Sequence, residues 1–265
     1  MRVPIFPLNL VLFPGQTLPL HIFEERYKAM LQRCLRERIP FGIVLVREGG
    51  RMGRGPNQVG TLAQVTQVNE IPEGQCAVPA PHRGNCYHIV CHGAERFRAT
   101  NFDRREAEYL VGEVELFPDE PAPEPAMLMV AQRVSDLFDE YYRGVIALMG
   151  GWQREAVRGE RTLMYDIAAL SSQTQRSLEA AEMEGSNVRT VSVPVLPDDP
   201  ESLANVVAAE LNNVPMSTKQ ELLEAPSALA RLQREAEILA EEAPQLEERL
   251  RLQHRRRYTS FGASS

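Results

Sequence analysis

No apolar run in this chain approaches the ~20 residues that a helix needs to cross a bilayer, so no membrane-spanning helix is expected. Lysine is almost missing: Lys28 and Lys219 are the only two in 265 residues. Neither follows a glycine, so there is no GxxxxGK(S/T) loop to cradle nucleotide phosphates. The Gly-rich stretch at 49–55 lacks the lysine as well, and an ATPase is not expected. Cysteine is scarce. Cys86 and Cys91 stand five apart and no CxxC pair exists, so the cluster Cys76, His82, Cys86, His88, Cys91 and His92 lacks zinc-ligand spacing. Four cysteines in a chain this long make no disulfide scaffold, and reduced thiols are expected. The amino terminus carries one arginine and no secretory apolar segment, which points to the cytoplasm.

A basic domain is missing too. Of the net charge of −7, residues 1–120 contribute nothing, with 14 residues of each sign. The remainder holds 15 basic against 22 acidic residues. A nucleic-acid footprint is a positive patch, so nucleic acid is not the expected partner. The cluster Arg251, Arg255, Arg256 and Arg257 around His254 reads as a solvated tail.

What the chain does have is a dense opening stretch, Pro4–Ile39. Ile5, Phe6, Leu8 and Leu10–Phe13 form an apolar run that suits a strand buried on both faces. Pro4 and Pro7 cannot donate to a ladder, which places this part of the strand at an edge. Pro14-Gly15 fits a type II turn. Leu18, Leu20 and Ile22 alternate as a second strand, and Phe23, Tyr27, Met30, Leu31, Cys34 and Leu35 recur at helical spacing. Further strands are expected at 41–47, 59–69, 75–79, 86–92, 95–101 and 109–117, with a hairpin loop over 47–59. Glu95 and Arg96 read as surface charges at a hairpin.

The proline-rich segment 117–125 marks a domain boundary. Beyond it the period turns helical, over about 125–149. Leu163, Ile167 and Leu170 give a weaker helical stripe inside 151–197, and Val188–Pro197 alternates. Asp198-Asp199-Pro200 opens another helix, and Ser217 with Gln220 forms a capping-box pattern. Leu229, Leu232, Ala236, Leu239, Ala243, Leu246 and Leu250 make an a/d-like stripe, suited to the chain's own helices or to a dimer seam.

The stretch FPLNLVLFPGQTLPLHIFEERYKAML resembles the opening of the amino-terminal, substrate-recognition domain of Lon proteases. FGIVLVR, VGTLAQVTQV, GAERFR and YLVGEVEL follow in the order of that domain's strands, and STKQELLEAPSALARL is similar to its closing helices. The resemblance covers about 2–117 and 200–245, which makes 151–197 look like an insertion. It implies an α+β fold: an antiparallel, barrel-like β domain of the PUA-like pseudo-barrel type at 1–118, then a helical domain at 122–250 and a disordered tail at 251–265. It also implies a stand-alone recognition module without the Lon motor or protease. Ser217 and Lys219 are the nearest thing to the protease's Ser-Lys pair, but two residues apart on a helix they face different ways.

The expected function is therefore non-enzymatic, with no cofactor and no catalytic or metal residue. The partner implied is unfolded or tagged polypeptide, or a folded protein. Contact is expected through strand addition at the Pro4–Leu10 edge or an apolar groove, with Ile5, Phe6, Leu8, Arg47, Arg51, Met52 and Arg54 as candidate residues. His21 reads as a structural histidine. An RNA-binding module on the same barrel is the alternative. A monomer or weak homodimer is expected.

Overall fold

The apolar run near the amino terminus folds as β1 (Arg2–Leu8), and its neighbours explain why both of its faces are apolar. β1 pairs antiparallel with β6 (Leu110–Leu116) through Arg2–Ile5, and parallel with β3 (Phe41–Leu45) through Ile5–Leu8. Successive strand residues point to opposite faces, yet Ile5 and Phe6 are 0% and 7% exposed. The expected open edge at Pro4–Leu10 is thereby corrected: this strand lies inside the sheet. Each proline falls where β1 has a partner on one flank only, Pro4 in the half against β6 and Pro7 in the half against β3. Fewer ladder donors are needed there.

The computed structural model describes residues 1–46, 56–76, 84–103, 107–148, 152–155, 161–166, 188–192 and 194–261. The chain divides into two compact units, Met1–Met127 with Asp198–Arg231, and Leu128–Pro197 with Leu232–Ser265.

In the first unit, Gln16 N–H donates to Phe13 O across the Pro14-Gly15 turn, and Gly15 supplies the positive φ of +81° that a type II turn demands. The turn is tied to the sheet by Gly15 N–H to Gly93 O and Gly93 N–H to Gln16 O, both 2.8 Å. β2 (Thr17–Ile22) follows, then α1 (Glu25–Glu37). Arg38 ends α1 in the left-handed region, and its N–H returns to Cys34 O. Tyr27, Met30, Leu31 and Cys34 form its buried face. Met30 and Leu31, both 1% exposed, contribute about 1.5–3 kcal/mol each.

The sheet order is β2-β5-β4-β3-β1-β6, with β4 at Val59–Ile71 and β5 at Cys86–Asp103. β5 also pairs with β6, so five strands close a ring and β2 lies outside it on β5. The barrel-like α+β expectation holds with one change. β1 and β3 run parallel because β2 and α1 carry the chain back between them. Two strands expected at 86–92 and 95–101 are one bent strand, with register shifts in its pairing to both β4 and β6. Part of the strand expected at 75–79 lies outside the described residues. Cys76 and Cys86 form a disulfide, which corrects the expectation of four thiols. The β4–β5 hairpin brings these two cysteines together, while Cys34 and Cys91 stay free and buried.

Two apolar clusters fill the unit. One gathers Phe6, Leu12, Phe41, Ile43, Ile89 and the inner face of α1. The other gathers Val3, Ile5, Val44, Leu62, Phe97 and Val114. The unit is completed by α3 (Pro200–Glu210), α4 (Met216–Glu224) and the start of α5 (Ala228–Phe261). Asp199 caps α3 by accepting Ser202 N–H at 2.9 Å, and hydrogen bonding from the Ser202 side chain, then from its N–H, holds its carboxyl below the usual range.

A buried charge cluster joins β5 to the returning helices. Arg96 donates to Leu223 O (2.7 Å), Ala225 O (2.8 Å) and Asp119 Oδ1 (2.7 Å). Arg231 donates to Leu222 O (3.1 Å) and Asp119 Oδ1 (2.9 Å). Arg96 is 4% exposed, so the reading of it as a surface charge is corrected. Its β5 position faces the helices, where backbone carbonyls and one carboxylate compensate the buried cation. Burial, with Arg231 nearby, lowers its pKa to about 10 against the opposing pull of Asp119.

In the second unit, α2 (Glu124–Leu148) from Leu128 onward buries Val134, Phe138 and Tyr141. β7 (Trp152–Glu155), β8 (Arg161–Asp166) and β9 (Val188–Ser192) form an antiparallel sheet in that order. Leu163, expected in a helical stripe, thus lies in a strand, because β8 is paired on both flanks; Ile167 and Leu170 lie outside the described residues. Leu232, Ala236, Leu239 and Leu246 of the a/d-like stripe are buried, and Gly144 of α2 faces Leu246. α5 runs to Phe261, past the expected start of a disordered tail at 251. Arg, Gln and Leu are good helix formers, so the helix propagates.

Candidate functional site

Three segments far apart in sequence meet on one side of the barrel. β3 ends at Leu45 and is followed by Val46, β4 starts at Val59 two residues after Asn57, and α4 packs against β4 through Gln220 Nε2 to Val59 O at 3.1 Å. They border an open groove of about 730 Å³. The strand ends are held firmly. Val46 N–H donates to Leu8 O at 2.9 Å, and Asn57 donates from both N and Nδ2 to Leu45 O at 3.0 and 3.1 Å. Because these backbone groups are already used, the groove offers side chains rather than a free ladder at this point.

Its apolar surface comes from Leu45, Val46, Pro215 and Met216. Val46 and Met216 are 38% and 40% exposed, so large apolar groups remain open to a partner. Its polar groups are the amides of Asn9, Asn57 and Gln220 and the carboxylates of Glu221 and Glu224. No lysine, arginine or histidine lines it among the described residues.

Pro215, with φ −59°, is the N-cap of α4, and no side-chain cap bond forms. The expected Ser217–Gln220 capping box is therefore corrected. The helix starts one residue before Ser217, and Gln220 turns to the barrel instead. Gln220 is 5% exposed; its Nε2 donates to Val59 O and to Glu224 Oε1 (2.8 Å), while its Oε1 has no partner. A buried acceptor left unpaired costs about 1–3 kcal/mol. Lys219 points elsewhere, donating Nζ to Ala209 O at 2.7 Å. Burial lowers its pKa against the opposing charge of Glu210, whose own pKa burial raises. No hydrogen bond joins Lys219 to Ser217, so no Ser-Lys pair is assembled there.

A smaller cavity of about 330 Å³ lies beside Cys34, Arg38, Pro40 and Gln64. Burial pushes the Cys34 thiol up to about 11 and Cys91 up to about 12. Both stay protonated and are poor nucleophiles. Among the described residues, no group of three His, Cys, Asp or Glu side chains could hold a metal, and no helix is long and apolar enough to cross a membrane.

The sequence-predicted contact residues are not gathered here. Ile5 and Phe6 lie in the two core clusters, and Leu8 packs, half-buried, against the cluster under α1. Leu8 reaches the groove's border only through its carbonyl, bonded to Val46. Arg47, Arg51, Met52 and Arg54 lie outside the described residues. Val46, Asn57, Met216, Gln220, Glu221 and Glu224 carry no local motif that marks them in the sequence.

Comparison with known proteins gives a consistent pattern. Residues 2–241 match the family model described as the ATP-dependent protease La (LON) substrate-binding domain. The Lon protease of Paraburkholderia phytofirmans is 25% identical over 241 residues, which is 88% of this chain and 23% of the relative. The Lon protease of Phenylobacterium zucineum is 33% identical over 98 residues, 36% of this chain and 11% of the relative. The chain thus spans less than a quarter of the length of these relatives. A Lon N-terminal domain protein from Xanthomonas campestris superposes with a TM-score of 0.50 at 19% identity, covering 88% of this chain and 96% of that one. The N-terminal domain of a Mycobacterium avium complex Lon protease superposes at 0.51 with 16% identity, covering 91% and 98%. These two likenesses show the shared fold.

Proposed function

We propose that this chain, which belongs to the ATP-dependent protease La (LON) substrate-binding domain family, acts as a non-enzymatic module that holds unfolded or tagged polypeptide in the groove beside α4. The observation that carries the reading is the groove's make-up. Half-exposed Val46 and Met216 adjoin the exposed carboxylates of Glu221 and Glu224. An extended segment supplies both complements, apolar side chains for the surface and N–H groups for the carboxylates. The carboxylates of Glu221 and Glu224 disfavour phosphate, so the groove does not suit RNA.

Fluorescence anisotropy with a labelled unfolded polypeptide and a labelled single-stranded RNA tests this. Polypeptide binding is expected to persist at high salt, and Met216→Asp is expected to weaken it about tenfold or more by placing an unpaired carboxylate on the apolar surface. Met216 is half-exposed, so the substitution leaves the core untouched. Unchanged polypeptide affinity in the variant overturns the groove assignment. RNA binding that collapses with salt replaces the reading with the nucleic-acid one.

A further inference from the structure

Glu221 and Glu224 are three apart on α4 and line the same groove, so their carboxylates share one face of the helix. Glu221 is exposed and makes no hydrogen bond or ion pair with any described residue. Glu224 accepts from Gln220 Nε2 at 2.8 Å. That bond fixes the Gln220 amide and leaves its Oε1 as the unpartnered atom, on a side chain only 5% exposed. The cation nearest in sequence, Lys219, is committed to Ala209 O. Among its described lining residues the groove therefore presents negative charge with no counter-cation, together with an apolar surface.

The geometry points to a groove that selects polypeptide segments carrying a lysine or arginine next to a large apolar residue. The cation meets Glu221 and Glu224, and the apolar side chain lies on Val46 and Met216. This rests on the polypeptide-binding reading above and adds the class of segment. Two exposed carboxylates on one helix face attract a cation together more than either does alone, and salt screens that attraction. An acidic residue at the same place meets like charge and is rejected.

The test uses the full chain and three labelled synthetic peptides of one length that differ at a single central position: Lys, Met or Glu. The Lys peptide is expected to bind about fivefold tighter than the Met peptide, with the Glu peptide weakest. In the Glu221→Gln, Glu224→Gln double variant, which keeps amide oxygens where the carboxylates stood, the Lys-to-Met ratio is expected to fall to about twofold or less. The wild-type ratio is also expected to shrink as salt rises from about 50 mM to about 500 mM. Because the readout is a ratio within one protein, binding of any peptide reports that the variant is folded. Equal affinities in the wild type, or a ratio that survives in the variant, overturn the selectivity alone. Binding of none of the three by the wild type overturns the polypeptide-binding reading together with it.

Discussion

Replacing Asp119 with alanine is expected to destabilise the first unit by about 3–5 kcal/mol, because it leaves two buried guanidinium groups without their counter-charge. Arg96 and Arg231 side chains are 3% and 0% exposed, and both reach Asp119 Oδ1, at 2.7 and 2.9 Å. The backbone carbonyls of Leu222, Leu223 and Ala225 still accept hydrogen bonds after the substitution, but they carry no net charge. Burial already pulls Arg96 down to about 10, so the cation is costly where it sits. Against a typical stability of 5–15 kcal/mol the loss is large. The thermal midpoint is expected to fall by roughly 6–20 °C, read by circular dichroism. Neutralising the cluster as a whole, with Arg96→Met and Arg231→Met added to Asp119→Leu, is expected to restore much of the stability, since apolar replacement of a buried ion cluster is often tolerated. A single Asp119→Ala variant as stable as the wild type contradicts this role.

Gly60→Ala is expected to cost about 3 kcal/mol by a different route. A Cβ at Gly60 would lie 2.2 Å from Ile43 O, 2.8 Å from Val44 Cγ1 and 2.9 Å from the Phe97 ring. The first neighbour is backbone of the adjacent strand, so it cannot rotate away. β3 and β4 must part, and Phe97, which is 0% exposed, must shift as well. Gly144→Ala in α2 is the control. Its Cβ would meet Leu246 at 3.5 Å, ordinary contact, and alanine favours a helix over glycine by about 1 kcal/mol. Urea midpoints of the two variants should move in opposite directions, and a Gly60→Ala midpoint at the wild-type value contradicts the close approach.

These contrasts show what could be read locally. The Pro14-Gly15 turn, the Asp199 cap and most of the α1 face depend on residues within one or two turns of each other; Tyr27, Met30, Leu31 and Cys34 are buried as the spacing puts them, while Phe23 and Leu35 at the ends of the stripe are exposed. The pairing of β1 does not depend on its own residues alone. A run buried on both faces with two prolines suits an edge as well as a strand that changes partner midway, and only the register against β3 and β6 decides. Arg96 was hidden for a related reason. GAERFR alternates like a half-exposed strand, and the carboxylate and carbonyls that compensate the arginine arrive from Asp119, Leu223 and Ala225. The groove is assembled the same way, from positions near 9, 45, 57 and 215–224. Gln220 looks like a capping residue until β4 offers Val59 O as a better partner. Arg47, Arg51, Met52 and Arg54 remain expectations drawn from the sequence.

Hydrogen exchange of the whole chain, with and without a saturating unfolded polypeptide, separates the groove beside α4 from the outer edge of β2. The groove reading predicts slowed exchange at Leu45, Val46, Asn57 and the first turns of α4, with Thr17–Ile22 unchanged. β2 pairs only with β5 among the described strands, so its outer edge is where strand addition would act instead. Protection confined to Thr17–Ile22, with α4 unaffected, would contradict the groove and move the site to that edge.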